Sequence, residues 1–161
     1  MPQTAPGRRE KTGILLVLLV SLALNAVGVW YGLPSKEGWA PDEILPRDIQ
    51  RGVARRFSND WYHKYPPLQY YLLALVETPL VIHAKLGGLD LRGIPLTSGM
   101  ILAGRLLSLF MAAGVVFFIY QCGREMFDDR SSLLAAGIAA LLVPFVYYAK
   151  TANLDVPYLF W

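Results

Sequence analysis

Two acidic residues side by side, Asp42 and Glu43, stand just past an apolar N-terminal run, and a polar loop leads from them to His63-Lys64-Tyr65-Pro66-Pro67-Leu68. Charged side chains beside a membrane-length helix are costly neighbours for lipid, so this placement points to a task. A carboxylate there can take a proton from an attacking group. Basic side chains nearby, Arg47, Arg51, Arg55 and Lys64, can hold a phosphate through charge-assisted hydrogen bonds. A third acid, Asp155, lies far along the chain in Asn153-Leu154-Asp155-Val156-Pro157.

The elements that must position these groups are apolar blocks. Apolar residues make up 55% of the 161-residue chain and charged residues only 17%. Several blocks are long enough to cross about 30 Å of hydrocarbon, which predicts an all-α polytopic membrane protein. Residues 1–13 carry Arg8, Arg9 and Lys11 against Glu10, which predicts a cytoplasmic N-terminus. A transmembrane helix is expected over 14–33. Ser21-Leu22-Ala23 would suit a signal-peptide cleavage site, but the apolar run continues to an interfacial Trp30-Tyr31 pair, as in an uncleaved anchor.

Residues 34–99 are expected to form an extracytoplasmic loop with interfacial helices over about 46–57 and 68–84. In the first, Pro46 suits an opening turn, while Leu45, Ile49, Val53 and Phe57 recur at every fourth position. Arg47, Arg51 and Arg55 recur on another face, which serves either as a solvated surface drawn to anionic lipid or as a holder of a lipid phosphate. The second helix carries Gln69, Glu77 and Pro79, too many interruptions for a clean span. Spans over 100–121 and 133–149 enclose a cytoplasmic hinge, 122–132; residues 150–161 make an external turn and the start of a truncated span. Each crossing reverses the side, so Asp155 shares the outer face with Asp42 only if 68–84 does not cross.

Other classes find little support. One cysteine, Cys122, excludes an intrachain disulfide and a cysteine metal cluster, and is expected as a small packing residue. A net charge of +3, without a Gly-rich phosphate loop or a basic aromatic surface, speaks against nucleic acid and nucleotides.

In order and spacing, Asp42-Glu43, the segment Tyr65 to Tyr71, Gly104-Arg105-Leu106-Leu107-Ser108 and Asn153 to Pro157 resemble the glycosyltransferase-C superfamily. More narrowly, they are similar to the N-terminal part of protein O-mannosyltransferase and aminoarabinose-transferase-like enzymes. The resemblance covers nearly all of this chain but only part of such an enzyme, and so implies an N-terminal fragment that is inactive alone. It implies a multi-pass protein of a bacterial-type inner or plasma membrane with an outward-facing site. The donor would be a polyprenyl-phosphate-linked sugar and the acceptor a lipid, glycan or protein. The resemblance puts the catalytic acid on Asp42, with Glu43 beside it, and a second-loop acid on Asp155. It puts a donor-phosphate contact on Lys64, although Tyr65 separates that lysine from the proline pair, and Arg47, Arg51 and Arg105 are the other candidate cations.

Hexosyl or pentosyl transfer from such a donor needs a base at the acceptor and positive charge at the departing phosphate. It needs no general acid, unlike glycoside hydrolysis. Asp42 as base in a single displacement predicts inversion. Rival roles stay open for each residue. Asp42 can cap the following helix or pair with Arg47; Arg105 can snorkel to headgroups; Asp155 with Asn153 can simply begin a helix; Tyr70 and Tyr71 suit an interfacial belt. A divalent metal is possible, with Glu43 and His63 as candidate ligands, and no other cofactor is implied. The competing class is a non-catalytic transporter subunit or lipid-binding scaffold, which would place charges near mid-span; Glu77 comes nearest to that.

Overall fold

The computed structural model describes residues 8–35, 37–58, 67–87 and 95–161. Among them the fold is all helical: α1 (Arg8–Ala26), α2 (Pro46–Ala54), α3 (Leu68–Lys85), α4 (Leu96–Met126), α5 (Asp129–Leu141), α6 (Val143–Ala149) and α7 (Asp155–Phe160). The long α4 is the axis of the molecule and packs against each of the other six. Its inward residues meet three apolar clusters in successive turns. Leu107 joins Ile44, Ile49, Tyr70, Leu73 and Leu154; Met111 and Ala112 join Ala149 and Val156; Val116 and Tyr120 join Ile14, Ala136 and Ala140. Small residues let partners close in, as at Gly104, where an added Cβ would come within 3.0 Å of Ala152 and 3.1 Å of Leu73.

Element boundaries depart from the sequence expectation for local reasons. The first helix does not run to residue 33; it ends at Ala26, and Gly28 and Gly32 adopt φ of 80° and 72°, turning the chain where an apolar run alone predicts helix. Gly32 is doubly required, because the Trp39 indole lies where its Cβ would be. α2 starts at Pro46, as a fixed φ favours, but stops at Ala54. Arg56 and Phe57 take φ of 51° and 46°, and the Phe57 ring folds back over Gly52. Val53, expected on the apolar face, is exposed. α4 extends beyond 100–121 at both ends. The expected span over 133–149 is two helices bent by 64° at Leu142. Pro144 has no N–H for the Ala140 carbonyl and its ring crowds that position, so α5 cannot continue. α5 begins on Asp128, whose carboxylate accepts from the Ser131 N–H at 2.7 Å; these bonds hold that carboxyl below its usual range.

Among the described residues α4 is the one helix long and apolar enough by itself to cross a membrane, and α5 with α6 passes the same test only as a bent pair. Arg105 and Arg124 lie about 28 Å apart along α4, with no charged residue between them. Glu10 and Asp129 sit close enough to Arg124 to act on its charge, so α1 and α5 begin at that end. The turn after α1 and the loop after α6 lie at the Arg105 end. α3 crosses the first turns of α4 there, with Leu73 against Gly104 and Leu80 beside Ser98, Gly99 and Leu102. Cys122 is exposed and does not pack inside.

Candidate functional site at the Arg105 end

The turn after α1, the Asp42-Glu43 loop and the loop after α6 converge on one guanidinium. Arg105 donates from Nε to Glu43 Oε1 at 2.7 Å and from Nη2 to Oε2 at 3.0 Å. Its Nη1 donates to the carbonyls of Val29 at 2.8 Å and Tyr31 at 2.7 Å. Both side chains are sealed, at 2% and 0% exposure. A fork-to-fork pair with its remaining donors filled by carbonyls is the arrangement in which a buried charge pair is tolerated. The loop after α6 closes the assembly: the Ile44 N–H donates to the Ala152 carbonyl at 2.7 Å, and the Ala152 N–H reaches Glu43 Oε1 at 3.4 Å.

Against this scaffold lies a cavity of about 420 Å³ bordered by Tyr31, Trp39, Arg105, Tyr147, Lys150 and Thr151. Tyr31 and Trp39 meet edge to face with centroids 6.4 Å apart, giving one wall two amphipathic rings. Lys150 is half-buried and has no ion-pair partner among the described residues. Aromatic faces and one free ammonium suit a ligand with a ring and a negative charge. No family model matches this chain, and neither a curated protein nor a solved structure does. The geometry and the sequence pattern therefore carry the functional argument.

The sequence-derived candidates divide. Asp42 is exposed at φ 61°, in the turn closed by the Glu43 N–H on the Ala40 carbonyl at 3.3 Å, and Ala40 lines the cavity. Neither modest role expected of Asp42 is seen: the cap position of α2 is Leu45, and no Asp42–Arg47 ion pair occurs among the described residues. Arg105 does not snorkel; it is buried. Both Glu43 oxygens are engaged by Arg105, so Glu43 is unsuited to ligate a metal, and the described residues contain no cluster of three acidic, His or Cys side chains that could hold one. Lys64 and His63 lie outside the described residues. Arg47 and Arg51 are exposed on α2 and do not line the cavity.

Asp155 is exposed at the start of α7, bonded to Asn153 Nδ2 at 3.1 Å, and borders a smaller apolar pocket of about 290 Å³ with Pro144, Phe145 and Tyr148. Tyr71 is exposed, as an interfacial belt requires, but Tyr70 is buried in the core.

Sequence reasoning missed Lys150, Tyr147 and Trp39 as cavity residues. The run Tyr147-Tyr148-Ala149-Lys150 reads equally as the interfacial end of a span, and only the fold shows it facing Trp39. Glu77 gains weight too. It is 3% exposed on the inner face of α3 without a hydrogen-bond or ion-pair partner among the described residues, and burial pushes its carboxyl up to about 7.

Proposed function

We propose that this chain crosses a membrane three times, through α1, α4 and the bent α5–α6 pair, and forms the donor side of a glycosyltransferase site at the outer face. The spacing of Arg105 and Arg124 supports that frame, since about 28 Å matches the hydrocarbon layer. Exposed Leu15, Leu16, Leu19, Leu134, Ile138 and Leu141 suit surfaces that face lipid. Arg8, Arg9 and Lys11 at the start of α1 support a cytoplasmic Arg124 end. α3 then lies at the outer boundary without crossing.

The observation that carries the reading is the aromatic-walled cavity at that same boundary, with Lys150 unpaired among the described residues and with Ala40, which opens the turn carrying the exposed Asp42, in its lining. The motif resemblance to polyprenyl-phosphate-sugar transferases agrees with it. In the mechanism, the Lys150 ammonium neutralises the phosphate as it leaves, and Tyr31 and Trp39 support the sugar ring. Asp42 takes the acceptor's proton as the acceptor oxygen or nitrogen attacks the anomeric carbon from the opposite side, and the configuration inverts. The Glu43–Arg105 pair takes no part in proton transfer; it fixes the turn that carries Tyr31 and the loop that carries Asp42.

Membranes containing the full-length protein, given a panel of radiolabelled polyprenyl-phosphate sugars, test the proposal. Asp42→Asn should lower transfer by about a hundredfold or more. Lys150→Ala should raise the donor KM about tenfold, as loss of a charged hydrogen bond implies. Undiminished turnover in Asp42→Asn removes that residue from the base role, and no transfer by inserted wild-type protein overturns the enzyme reading.

One feature favours a second reading, a non-catalytic lipid-binding scaffold: a largely apolar groove of about 410 Å³ among Trp30, Leu33, Leu80, Leu102 and Leu106. A lipid that copurifies stoichiometrically with a protein inactive toward every donor would support it.

A further inference from the structure

α2 is held to the molecule by one side only. Pro46, Ile49 and Gly52 are buried. Ile49 joins Tyr70 and Leu73 in the core, and the Phe57 ring packs on Gly52 and stands edge-on to Tyr71 at 4.5 Å. The opposite face presents Arg47 and Arg51; Arg55 and Arg56 follow in the turn after the helix; all four are exposed, and Asp48 is the only acid in the helix. Arg47, Arg51 and Arg56 make no ion pair among the described residues. Val53 is exposed one turn beyond Ile49, and Leu68, Tyr71 and Leu75 are exposed on the adjoining α3. Arginine and apolar side chains presented together, at the level where apolar helix faces give way to polar loops, are the composition of a surface that lies in a headgroup layer.

We infer that Arg47 and Arg51 of α2, with Arg56 in the turn that follows it, dock on anionic phospholipid headgroups of the leaflet in which the chain is embedded, rather than on the sugar donor. The inference rests on the membrane frame proposed above and assigns these arginines a partner separate from the cavity ligand. Charge complementarity sets the occupant: guanidinium groups with no ion-pair partner among the described residues favour phosphate esters, and the exposed Leu68, Tyr71 and Leu75 of α3 favour phosphates attached to a bilayer. Diffusible phosphates would gain from the arginines alone. The cluster also has a use for the fold, because fixing α2 to the headgroups steadies the Asp42-Glu43 loop that runs into it.

The full chain reconstituted into nanodiscs of phosphatidylcholine with a minor share of phosphatidylglycerol provides the test. Spin-labelled phosphatidylglycerol and phosphatidylcholine report which lipid the protein retains. Wild type should favour phosphatidylglycerol about fivefold, the ratio that one arginine near a charged surface supplies, and high salt should lower this preference. Arg47→Gln, Arg51→Gln and Arg56→Gln combined should bring the ratio close to one, while the three lysine replacements should keep most of it.

An inserted glutamine variant that still selects phosphatidylglycerol as wild type does overturns the inference alone. Loss of selectivity on adding soluble glycerol phosphate also overturns it, since that marks a discrete phosphate site in place of a lipid surface. Protein recovered outside the bilayer overturns the membrane frame and this inference together.

Discussion

Arg105 and Arg124 occupy the same helix and meet the same kind of partner, yet their surroundings differ. Arg105 and Glu43 have side-chain exposures of 2% and 0%, and two main-chain carbonyls complete the arginine's bonding. Arg124 and Asp129 are 10% and 37% exposed; one 2.5 Å bond joins residues five apart, and the guanidinium rests 5.7 Å from the Tyr120 ring centroid. The first pair closes a loop of 62 residues and ties three segments together. The second fastens a hinge that the N-cap at Asp128 already shapes. An ion pair therefore matters here through what it leaves behind when broken, far more than through its Coulomb attraction.

The largest effect should come from breaking the buried pair on one side. Arg105→Ala leaves the Glu43 carboxylate with the 3.4 Å Ala152 N–H in place of its charged partner and takes the guanidinium from the Val29 and Tyr31 carbonyls, and Glu43→Ala leaves a sealed guanidinium. Each should cost about 3–5 kcal/mol, read as the unfolding midpoint in detergent. Replacing both partners by Met should restore much of that loss, because no charge is then stranded. If either single variant unfolds no more easily than Arg124→Ala, the contrast between the two ends fails.

Glu77 sharpens the comparison from the other direction, as a buried carboxyl at the Arg105 end with no partner among the described residues. Its folded carboxyl titrates near 7 and its unfolded one near 4.5. The unfolded chain therefore gives up its proton first as pH rises. Stability is then greatest below the unfolded value, falls as pH climbs through 7, and levels off above it, by on the order of 3 kcal/mol. Glu77→Gln should be the more stable protein at pH 8 and indistinguishable from wild type near pH 4. Melting curves that run parallel across this range would mean that Glu77 stays hydrated or paired.

The same contrast explains what the sequence could and could not say. The apolar blocks that become α1, α4 and α5–α6 are legible, since long runs of Leu, Val and Ala admit few alternatives. Their ends are less so: the glycine conformations at 28 and 32 and the bend before Pro144 decide them, against a background of uniform hydropathy. Asp42-Glu43 is visible as a pair, but nothing local assigns Asp42 to the surface and Glu43 to the interior. That division follows from Arg105, whose partner lies 62 residues away, and a single sequence carries no sign of so distant a match. Arg124 and Asp129 are the reverse case, because their near spacing on either side of the hinge already suggests the contact that forms.

The smallest expected effect tests that reverse case. Arg124→Ala removes a part-buried bond to Asp129 and a cation–π contact among its interactions, while Asp129, more than a third exposed, turns to water at little cost. The unfolding midpoint should stay close to wild type, and what difference there is should shrink further in high salt, whereas the Arg105→Ala loss should persist because its partner is shielded from ions. A salt-insensitive loss at Arg124 comparable to that at Arg105 would mean that the two ends obey the same energetics. The difference in burial would then have no consequence for how the helix is held.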